Sequence, residues 1–229
     1  MFEFLFLDLD DTILDFKKAE HIAIGKTLSQ FGLEPTPEVC SLYSRINREH
    51  WERLERKELV REQVLTGRFE VLFRQMGIQV DPVQVARTYE ANLGVGHYFL
   101  PGAEEAVKSL HKKYRLFLAS NGTAKVQAGR LDSSGIRPYF EKIFISQEVG
   151  VNKPALEYFT RCFQQIPGFD PEKAMIVGDS LTSDILGGIN AGIATCWVNP
   201  TGKTGREDIK ADYEIPALSA LENLLEKIG

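Results

Sequence analysis

The first strand of the protein is predicted from its hydrophobic residues. In the segment FLFL (residues 4–7) apolar residues occupy successive positions and phenylalanine alternates with leucine. This pattern is typical of a strand that is buried on both faces of a sheet. Three carboxylates follow directly, at Asp8, Asp10 and Asp11. Carboxylates this close to one another repel, so we expect a positive partner, such as a bound cation, to compensate them.

From about residue 16 to residue 98 the hydrophobic spacing is helical. In one segment the apolar residues recur at i, i+4, i+7, i+8 and i+11, on one helix face; they are Leu65, Phe69, Leu72, Phe73 and Met76. Breaks at residues 32–37 and 77–82 divide this region into about four helices. Helices joined by short breaks predict a small antiparallel bundle.

After residues 100–102 (LPG) helices and strands alternate. The strands are predicted at residues 115–119, 142–145, 174–177 and 193–198, with helix-length segments between them. Such connections indicate right-handed crossovers and a parallel sheet covered on both faces. We therefore predict a doubly wound, Rossmann-like α/β core (residues 1–15 and 99–229) with an inserted helical-bundle cap (residues 16–98). Hinges are expected near residues 14–16 and 94–101.

Composition and charge narrow the class of protein. The chain is 43% hydrophobic and 26% charged and has a net charge of −5, which is ordinary for a folded protein and argues against nucleic acid or an anionic membrane as partner. The sequence contains no long uncharged apolar run, so we expect neither a membrane span nor a signal peptide. Three distant cysteines fit a reduced compartment better than a disulfide framework. We expect a cytoplasmic protein, either a monomer or a homodimer.

Acidic residues follow two of the predicted strands at the sheet edge where parallel sheets bind ligands. Asp8 and Asp10 are two positions apart and therefore project from the same face of an extended segment. Asp179 arrives from another strand. Oxygen ligands that converge from separate segments are what a hard cation such as Mg²⁺ requires. The sequence therefore predicts a magnesium site at this edge.

Other polar residues at the same edge suit a phosphate. Lys153 carries a positive charge, while Ser120 and Asn121 offer neutral donors. Phosphoryl transfer depends mainly on positioning and charge neutralisation. One carboxylate could act as nucleophile through an aspartyl-phosphate, and a neighbour two residues away could protonate the leaving alcohol and then activate water. The predicted reaction is Mg²⁺-dependent hydrolysis of a small-molecule phosphomonoester.

The order of these clusters resembles the four motifs of the haloacid dehalogenase-like hydrolase superfamily. The four matching segments, in order, are DLDDT (residues 8–12), LFLASNG (116–122), KP (153–154) and GDSLTSD (178–184). Their order and spacing fit along the whole chain, and so does a helical cap after the first motif. The resemblance implies the fold predicted above and a Mg²⁺-dependent hydrolase.

The resemblance also implies roles for the acidic residues. Asp8 would be the nucleophile and a metal ligand. Asp10 would be the general acid and base, with its backbone carbonyl also on the metal. Asp179 would ligate Mg²⁺, and Asp184 would either ligate it or orient its water and Lys153.

For the phosphate, the resemblance implies a second set of residues. Ser120 and Lys153 would hold the phosphate group, with Asn121 beside them. Thr12 would steady the first loop at the same subsite. These four residues form the expected phosphate-binding set.

A closer resemblance is to the pyrimidine 5′-nucleotidases of this superfamily, which dephosphorylate UMP, dUMP and dTMP. It rests on NREHW (residues 47–51), TGRFE (66–70), SQEVGVNKP (146–154) and residues 178–199. In this hypothesis a pyrimidine stacks on Trp51 or Phe69, Asn47 contacts the base edge and Arg68 lies nearby. In the alternative, the two aromatic residues pack inside the bundle and Arg68 forms a surface ion pair.

Other functions remain open at this point. A phosphoglycolate or sugar-phosphate phosphatase, or a phosphosugar mutase, is possible because cap and loop contacts decide the substrate and the fold does not. A dehalogenase is disfavoured because Asp10 is present. A non-catalytic phosphometabolite-binding module is the alternative from a different class, and the intact acids and lysine argue against it.

Overall fold

A parallel sheet of six strands lies at the centre of the protein in the computed structural model, which describes residues 1–228. The strands are β1 (Phe4–Leu7), β2 (Arg115–Ser120), β3 (Lys142–Ile145), β4 (Ala174–Gly178), β5 (Ala194–Val198) and β6 (Tyr213–Ile215). Their order is β3-β2-β1-β4-β5-β6, and every neighbouring pair is parallel. This doubly wound order reverses between β1 and β4, where such sheets bind ligands.

The apolar run of β1 is explained by the hydrophobic clusters that cover both faces of the sheet. Leu5 and Leu7 belong to one hydrophobic cluster, while Phe4 and Phe6 belong to another. On the second face the ring of Phe6 stacks on that of Phe117, with centroids 5.2 Å apart. Because all four side chains of β1 are fully buried, the strand is fixed in register and its polar continuation reaches the sheet edge.

Four helices between β1 and β2 form a bundle with its own hydrophobic cluster. They are α1 (Phe16–Gln30), α2 (Pro37–Glu55), α3 (Arg61–Met76) and α4 (Pro82–Leu93). Asp15, Thr36 and Asp81 accept hydrogen bonds from the first turns of α1, α2 and α4 and so define where these helices begin. The predicted fold class, a doubly wound parallel sheet with an inserted helical bundle, is confirmed.

Phe69 lies inside this bundle and not at its surface. Its side chain is fully buried, and its ring stacks on Tyr43 with centroids 5.2 Å apart. Phe69 is therefore unavailable to a substrate base, and the expectation that a pyrimidine could stack on it is corrected. The physical reason is the apolar stripe to which Phe69 belongs, which faces the other helices of the bundle.

The remaining helices belong to the α/β part of the chain. They are α5 (Ala103–Leu110), α6 (Ala124–Ser134), α7 (Ser146–Val149), α8 (Leu156–Phe163), α9 (Leu186–Ala191) and α10 (Leu221–Ile228). Before α9 the chain forms a π-helical turn (Leu181–Ile185), within the helix-length segment predicted between residues 177 and 193. Turns of this kind are frequent at functional sites. The edge strand β6 was not predicted, because three residues carry too short a pattern. Gly229, the last residue of the predicted core, lies outside the described residues.

None of the helices in residues 1–228 combines the length and the apolar character that crossing a membrane would require.

Candidate active site

The loops after β1, β2 and β4 open into a cavity of about 550 Å³ between the sheet edge and the bundle. The cavity lining includes most of the predicted site residues, namely Asp8, Asp10, Ser120, Asn121, Lys153, Asp179 and Asp184 from the sheet side and Asn47, Trp51 and Arg68 from the bundle. Thr12 and Phe69 do not line it. The structure thus brings together residues that lie up to about 180 positions apart in the chain.

Lys153 holds the acidic residues of the sheet edge together. Its Nζ donates to Asp8 Oδ1 at 2.7 Å, to Asp184 Oδ1 at 2.6 Å and to the backbone carbonyl of Ala119 at 2.5 Å. An ammonium group has three donors, so this buried charge is fully hydrogen-bonded. Burial lowers the pKa of Lys153, but the neighbouring carboxylates of Asp184 and Asp8 outweigh it and raise the pKa above its usual range. Lys153 is therefore a fixed cation.

Three carboxylates of the site lie close enough to share one cation. One oxygen each from Asp8, Asp179 and Asp184 lies within 4.8 Å of the others. Burial raises the pKa of Asp8 to about 8, against the opposing effect of Lys153 and with a further increase from Asp184. Burial also raises the pKa of Asp179 well above its usual range, and the negative charges of Asp184 and Asp8 add to it. One lysine cannot neutralise three carboxylates, so the cluster fits a divalent cation.

The fourth motif (residues 178–184) depends on the absence of a side chain at Gly178. A Cβ atom at this position would lie 2.2 Å from Oδ2 of Asp184. The same Oδ2 accepts a hydrogen bond from the backbone N–H of Ser180 at 3.1 Å. The indole N–H of Trp197 donates to the carbonyl of Asp179 at 2.9 Å. The end of β4 and the π-helical turn after it therefore fix both acids of this motif.

Asn121 acts on Lys153 through the backbone. Its Nδ2 donates to the Lys153 carbonyl, and its Oδ1 accepts from the Lys153 N–H, both at 2.9 Å. Nδ2 also lies 3.1 Å from Oγ of Ser183. Because the amide is committed to protein partners, Asn121 positions Lys153. This corrects the expectation that its side chain binds phosphate.

Ser120 and Thr12 differ in what they can offer to a phosphate. Oγ of Ser120 accepts from Gln127 Nε2 at 2.9 Å and from the N–H of Gly122 at 3.1 Å. Both contacts use the oxygen as acceptor, so the hydroxyl proton is available to a ligand. Thr12 is fully buried, and its Oγ1 has no partner within residues 1–228. Thr12 therefore lies inside the first loop, where it can steady the loop, and its side chain does not line the cavity.

Two residues that the sequence analysis did not single out hold Asp10. Gln127 Nε2 donates to Asp10 Oδ2 at 2.7 Å, and the guanidinium of Arg130 forms an ion pair with Asp10 Oδ1. The two residues are three positions apart in α6 and therefore share a face. In the sequence, the only indication of this role is that Gln127 and Arg130 follow the SNG motif on one helix face. Spacing alone does not distinguish buried polar residues of a helix from exposed ones. A Cβ atom at Gly122 would lie 2.3 Å from Gln127, which explains the glycine there.

The bundle contributes a hydrogen-bonded network to the other side of the cavity. The amide of Asn47 donates to Glu20 Oε1 at 2.7 Å and accepts from Trp51 Nε1 at 3.1 Å and from Arg68 Nη1 at 2.7 Å. Ser44 donates to the other oxygen of Glu20 at 2.5 Å. Burial raises the pKa of Glu20, and the hydrogen bonds from Ser44 and Asn47 oppose this effect. Three of the four predicted cap residues thus meet at the cavity, together with Glu20, which was not predicted.

Arg61, at the start of α3, connects the bundle to the sheet side of the cavity. Its Nη1 donates to the carbonyls of Asn121 at 3.0 Å and Gly122 at 3.2 Å. Its Nη2 donates to Ser146 Oγ at 2.7 Å and to Asn152 Oδ1 at 2.6 Å. These four contacts place the bundle directly above the loops that carry the predicted phosphate site.

Comparison with known proteins supports the family resemblance that the four motifs indicate. The model of the haloacid dehalogenase-like hydrolase family matches residues 5–198. The chain is 36% identical to the pyrimidine 5′-nucleotidase PynA of Streptococcus pneumoniae, over 99% of this chain and 98% of PynA. It is 30% identical to the pyrimidine 5′-nucleotidase YjjG of Escherichia coli, over 98% of each chain.

A solved structure shows the same similarity in three dimensions. The crystal structure of the HAD-hydrolase YfnB from Bacillus subtilis, bound to magnesium, matches this protein with a TM-score of 0.94 and 36% identity, over 98% of each chain. That structure is described as revealing interdomain movement. The resemblance inferred from the four motifs is confirmed. The motifs, the sheet order and the full-length relatives lead to one conclusion: the chain belongs to the haloacid dehalogenase-like hydrolase family.

Proposed function

We propose that this hydrolase is a Mg²⁺-dependent phosphatase that releases phosphate from pyrimidine nucleoside 5′-monophosphates such as UMP, dUMP and dTMP. The observation that carries the proposal is the cavity itself. On one side Asp8 binds the fixed cation Lys153 and Asp10 lines the same cavity, and on the other side Asn47 and Arg68 present polar groups from the bundle. The nucleotidase relatives PynA and YjjG support the substrate class.

The proposal divides the protein into two units. The α/β core comprises residues 1–15 and 99–229, and the cap comprises residues 16–98. The hydrophobic cluster of α1 to α4 supports this division, because Val126 of α6 is, within residues 1–228, its one buried member from outside these helices. The core would carry the chemistry and the cap would select the substrate.

In the proposed reaction a carboxylate oxygen of Asp8 bonds to phosphorus while the bond between phosphorus and O5′ breaks. Asp10 gives its proton to O5′, so the nucleoside leaves as an alcohol. A water molecule then transfers a proton to Asp10 while its oxygen bonds to phosphorus, and the bond to Asp8 breaks. The positive charge of Lys153 neutralises the phosphate oxygens, and the hydroxyl of Ser120 holds them in both steps.

The acidic cluster fits a magnesium ion. Asp8 and Asp179 would hold it together with the backbone carbonyl of Asp10, and the contact of Asp184 with Lys153 supports an orienting role for Asp184. When bound, the ion neutralises charge on the phosphate and on the carboxylates. Burial and the neighbouring carboxylates raise the pKa values of Asp8 and Asp179, and a bound cation would favour the ionised form of both.

Magnesium should stabilise the protein more at pH 8 than at pH 5.5. The pKa of Asp8 rises from an ordinary value of 3.8 to about 8, so between these values the metal-free folded protein holds a proton that the unfolded chain has released. The contribution of this group to stability is complete below about pH 4 and is lost as the pH rises towards 8. Since protons compete with the metal, saturating Mg²⁺ should raise the melting temperature by roughly 5 °C at pH 8 and much less at pH 5.5.

Thermal denaturation with and without Mg²⁺ checks this expectation without relying on activity. The Asp179→Asn variant is the control and should lose most of the shift at pH 8. Equal shifts at both pH values, or a variant that responds like the wild type, would contradict the assignment of the acidic cluster as the metal site.

Removal of the Arg68 guanidinium should weaken recognition of the base and leave the chemistry intact. In Arg68→Met, kcat/KM for UMP should fall about tenfold or more, because one charge-assisted hydrogen bond contributes roughly 1.5 to 3 kcal/mol. Hydrolysis of phosphoglycolate, which has no base, should change less than about threefold. Arg45→Met, an exposed change on α2, is the control, and equal losses on both substrates in Arg68→Met would argue against base recognition.

A substrate panel tests the proposed function. Phosphate release is measured for UMP, dUMP, dTMP, the purine monophosphates, phosphoglycolate and hexose phosphates under identical conditions with Mg²⁺. The highest kcat/KM should belong to the pyrimidine monophosphates. If phosphoglycolate or a hexose phosphate led, the chemistry would stand and the nucleotidase assignment would be overturned. If no compound released phosphate, a non-catalytic binding module would be the better account.

A further inference from the structure

Arg130 of α6 is fully buried and contacts three separate parts of the protein. Its guanidinium forms an ion pair with Asp10. Its Nε donates to the backbone carbonyl of Gly96 at 2.8 Å, and Nη1 lies 3.1 Å from Oε1 of Gln127. Nη2 has no partner within the described chain. The position of this buried guanidinium is therefore fixed by its ion pair with Asp10 and by its hydrogen bond to Gly96.

Gln127 extends the same arrangement to the phosphate side of the cavity. Its Nε2 lies 2.7 Å from Asp10 Oδ2 and 2.9 Å from Ser120 Oγ, and its Oε1 faces Arg130. One amide therefore holds the acid and the serine hydroxyl at a set separation. The Asp10 side chain remains 28% exposed, so it can still reach a ligand in the cavity.

The linker between α4 and α5 (residues 94–102), which joins the bundle to the α/β part of the chain, packs against the same turn of α6. A Cβ atom at Gly129 would lie 2.6 Å from the carbonyl oxygen of Gly94. The next contact along this linker is the hydrogen bond between Gly96 and Arg130. The linker thus touches the backbone of α6 at Gly129 and the side chain of Arg130 one residue later.

We propose that Arg130 and Gln127 position the carboxylate of Asp10 for proton transfer, and that Arg130 makes this position depend on the linker through the carbonyl of Gly96. The inference rests on the proposed function, because it takes Asp10 to be the group that gives its proton to the departing O5′. Arg130 does not touch the reacting atoms in this account. Arg130 is a positioning residue, and its second partner, the carbonyl of Gly96, belongs to the linker that leads to the cap.

Two substrates with different leaving groups can distinguish the positioning role of Arg130 from a purely structural one. O5′ of a nucleotide is a poor leaving group and needs the proton from Asp10, whereas p-nitrophenolate leaves readily without one. The ratio kcat/KM reports the steps up to departure of the leaving group. A displaced Asp10 should therefore slow UMP much more than p-nitrophenyl phosphate, while a damaged fold should slow both equally.

The experiment measures kcat/KM for UMP and for p-nitrophenyl phosphate in the wild type, Arg130→Met, Arg130→Lys and Asp10→Asn. Arg130→Met should lower the value for UMP about 100-fold and that for p-nitrophenyl phosphate less than about tenfold. Arg130→Lys, which keeps one cationic donor, should recover part of the loss. Arg87→Met, an exposed change on α4, is the control.

A double-mutant cycle decides between positioning and structure. Adding Arg130→Met to Asp10→Asn should cause no further loss on either substrate, because the group that Arg130 positions is already gone. Equal losses on the two substrates, or a full additional loss in the Asp10→Asn background, would overturn the inference. If Asp10→Asn itself slowed both substrates equally, the acid role in the proposed function would fail first and the inference with it.

Gly129→Ala provides a second variant in case Arg130→Met does not fold. The added methyl group displaces the linker at Gly94 and leaves the side chains of Arg130 and Asp10 unchanged. It should lower kcat/KM for UMP about tenfold and affect p-nitrophenyl phosphate less than about twofold. Unchanged hydrolysis of UMP in a folded Gly129→Ala protein would overturn the dependence on the linker.

Discussion

The Asp8→Asn variant should release phosphate from UMP at least about 1000-fold more slowly than the wild type. An amide of the same size can still accept the hydrogen bond from Lys153 Nζ, which is 2.7 Å from Asp8 Oδ1 in the wild type. It cannot form the bond to phosphorus on which the proposed reaction depends. The loss should appear in kcat, measured as phosphate release with saturating UMP and Mg²⁺.

Two controls accompany this prediction. Asp132→Asn makes the same chemical change at an exposed residue that pairs with Arg137, and it should retain wild-type activity. Thermal denaturation should show that Asp8→Asn is folded, since it removes a carboxylate whose ionisation is opposed by burial. A folded Asp8→Asn protein with activity within tenfold of the wild type would exclude Asp8 as nucleophile.

The Lys153→Met variant should lose both stability and activity. Without this lysine, Asp8 and Asp184 share a buried site with no cation, and removal of one partner from a buried ion pair costs about 3 to 5 kcal/mol. Phosphate release should fall at least about 100-fold because the phosphate loses a fixed positive charge. Chemical denaturation and phosphate release measure the two effects.

Magnesium should affect the stability and the activity of Lys153→Met differently. If the ion binds among the same carboxylates, Mg²⁺ should restore part of the lost stability of Lys153→Met and little of its activity. Lys142→Met, an exposed lysine on β3, is the matched control and should change neither quantity by much. A Lys153→Met protein as stable as the wild type without Mg²⁺ would contradict the idea that this lysine compensates the acidic cluster.

The positions of the core motifs could be predicted because chain topology determines them. An apolar run such as β1 must end at the sheet edge, and in a doubly wound sheet the ends of β1 and β4 are neighbours. The sequence alone therefore predicts that Asp8 and Asp179 meet. The structure adds what a motif does not contain, namely that Lys153 is saturated by three acceptors.

The residues missed by sequence analysis act through tertiary contacts that leave no periodic signal. Gln127 and Arg130 are polar residues on a helix, and only the fold shows that both are buried against Asp10. Glu20 is similar, because its partner Asn47 lies 27 residues away on another helix. Spacing identifies residues that share a helix face, but it does not show which face meets a cavity.

The aromatic residues of the bundle show the same limit. The sequence offers Trp51 and Phe69 alike as platforms for a base. The structure places Trp51 at the cavity and Phe69 in the hydrophobic interior. Phe69 belongs to a regular apolar stripe, whereas the indole N–H of Trp51 binds Asn47 at 3.1 Å. A polar partner within one helical turn was thus the useful signal for Trp51.

The most direct test of the account is phosphate release from UMP, measured with Mg²⁺, after addition of EDTA and again after excess Mg²⁺ is restored. The account predicts rapid release with Mg²⁺, a loss of at least about 100-fold in EDTA and full recovery when the metal returns. Release from UMP that is indifferent to EDTA, or no release under any of the three conditions, would contradict it.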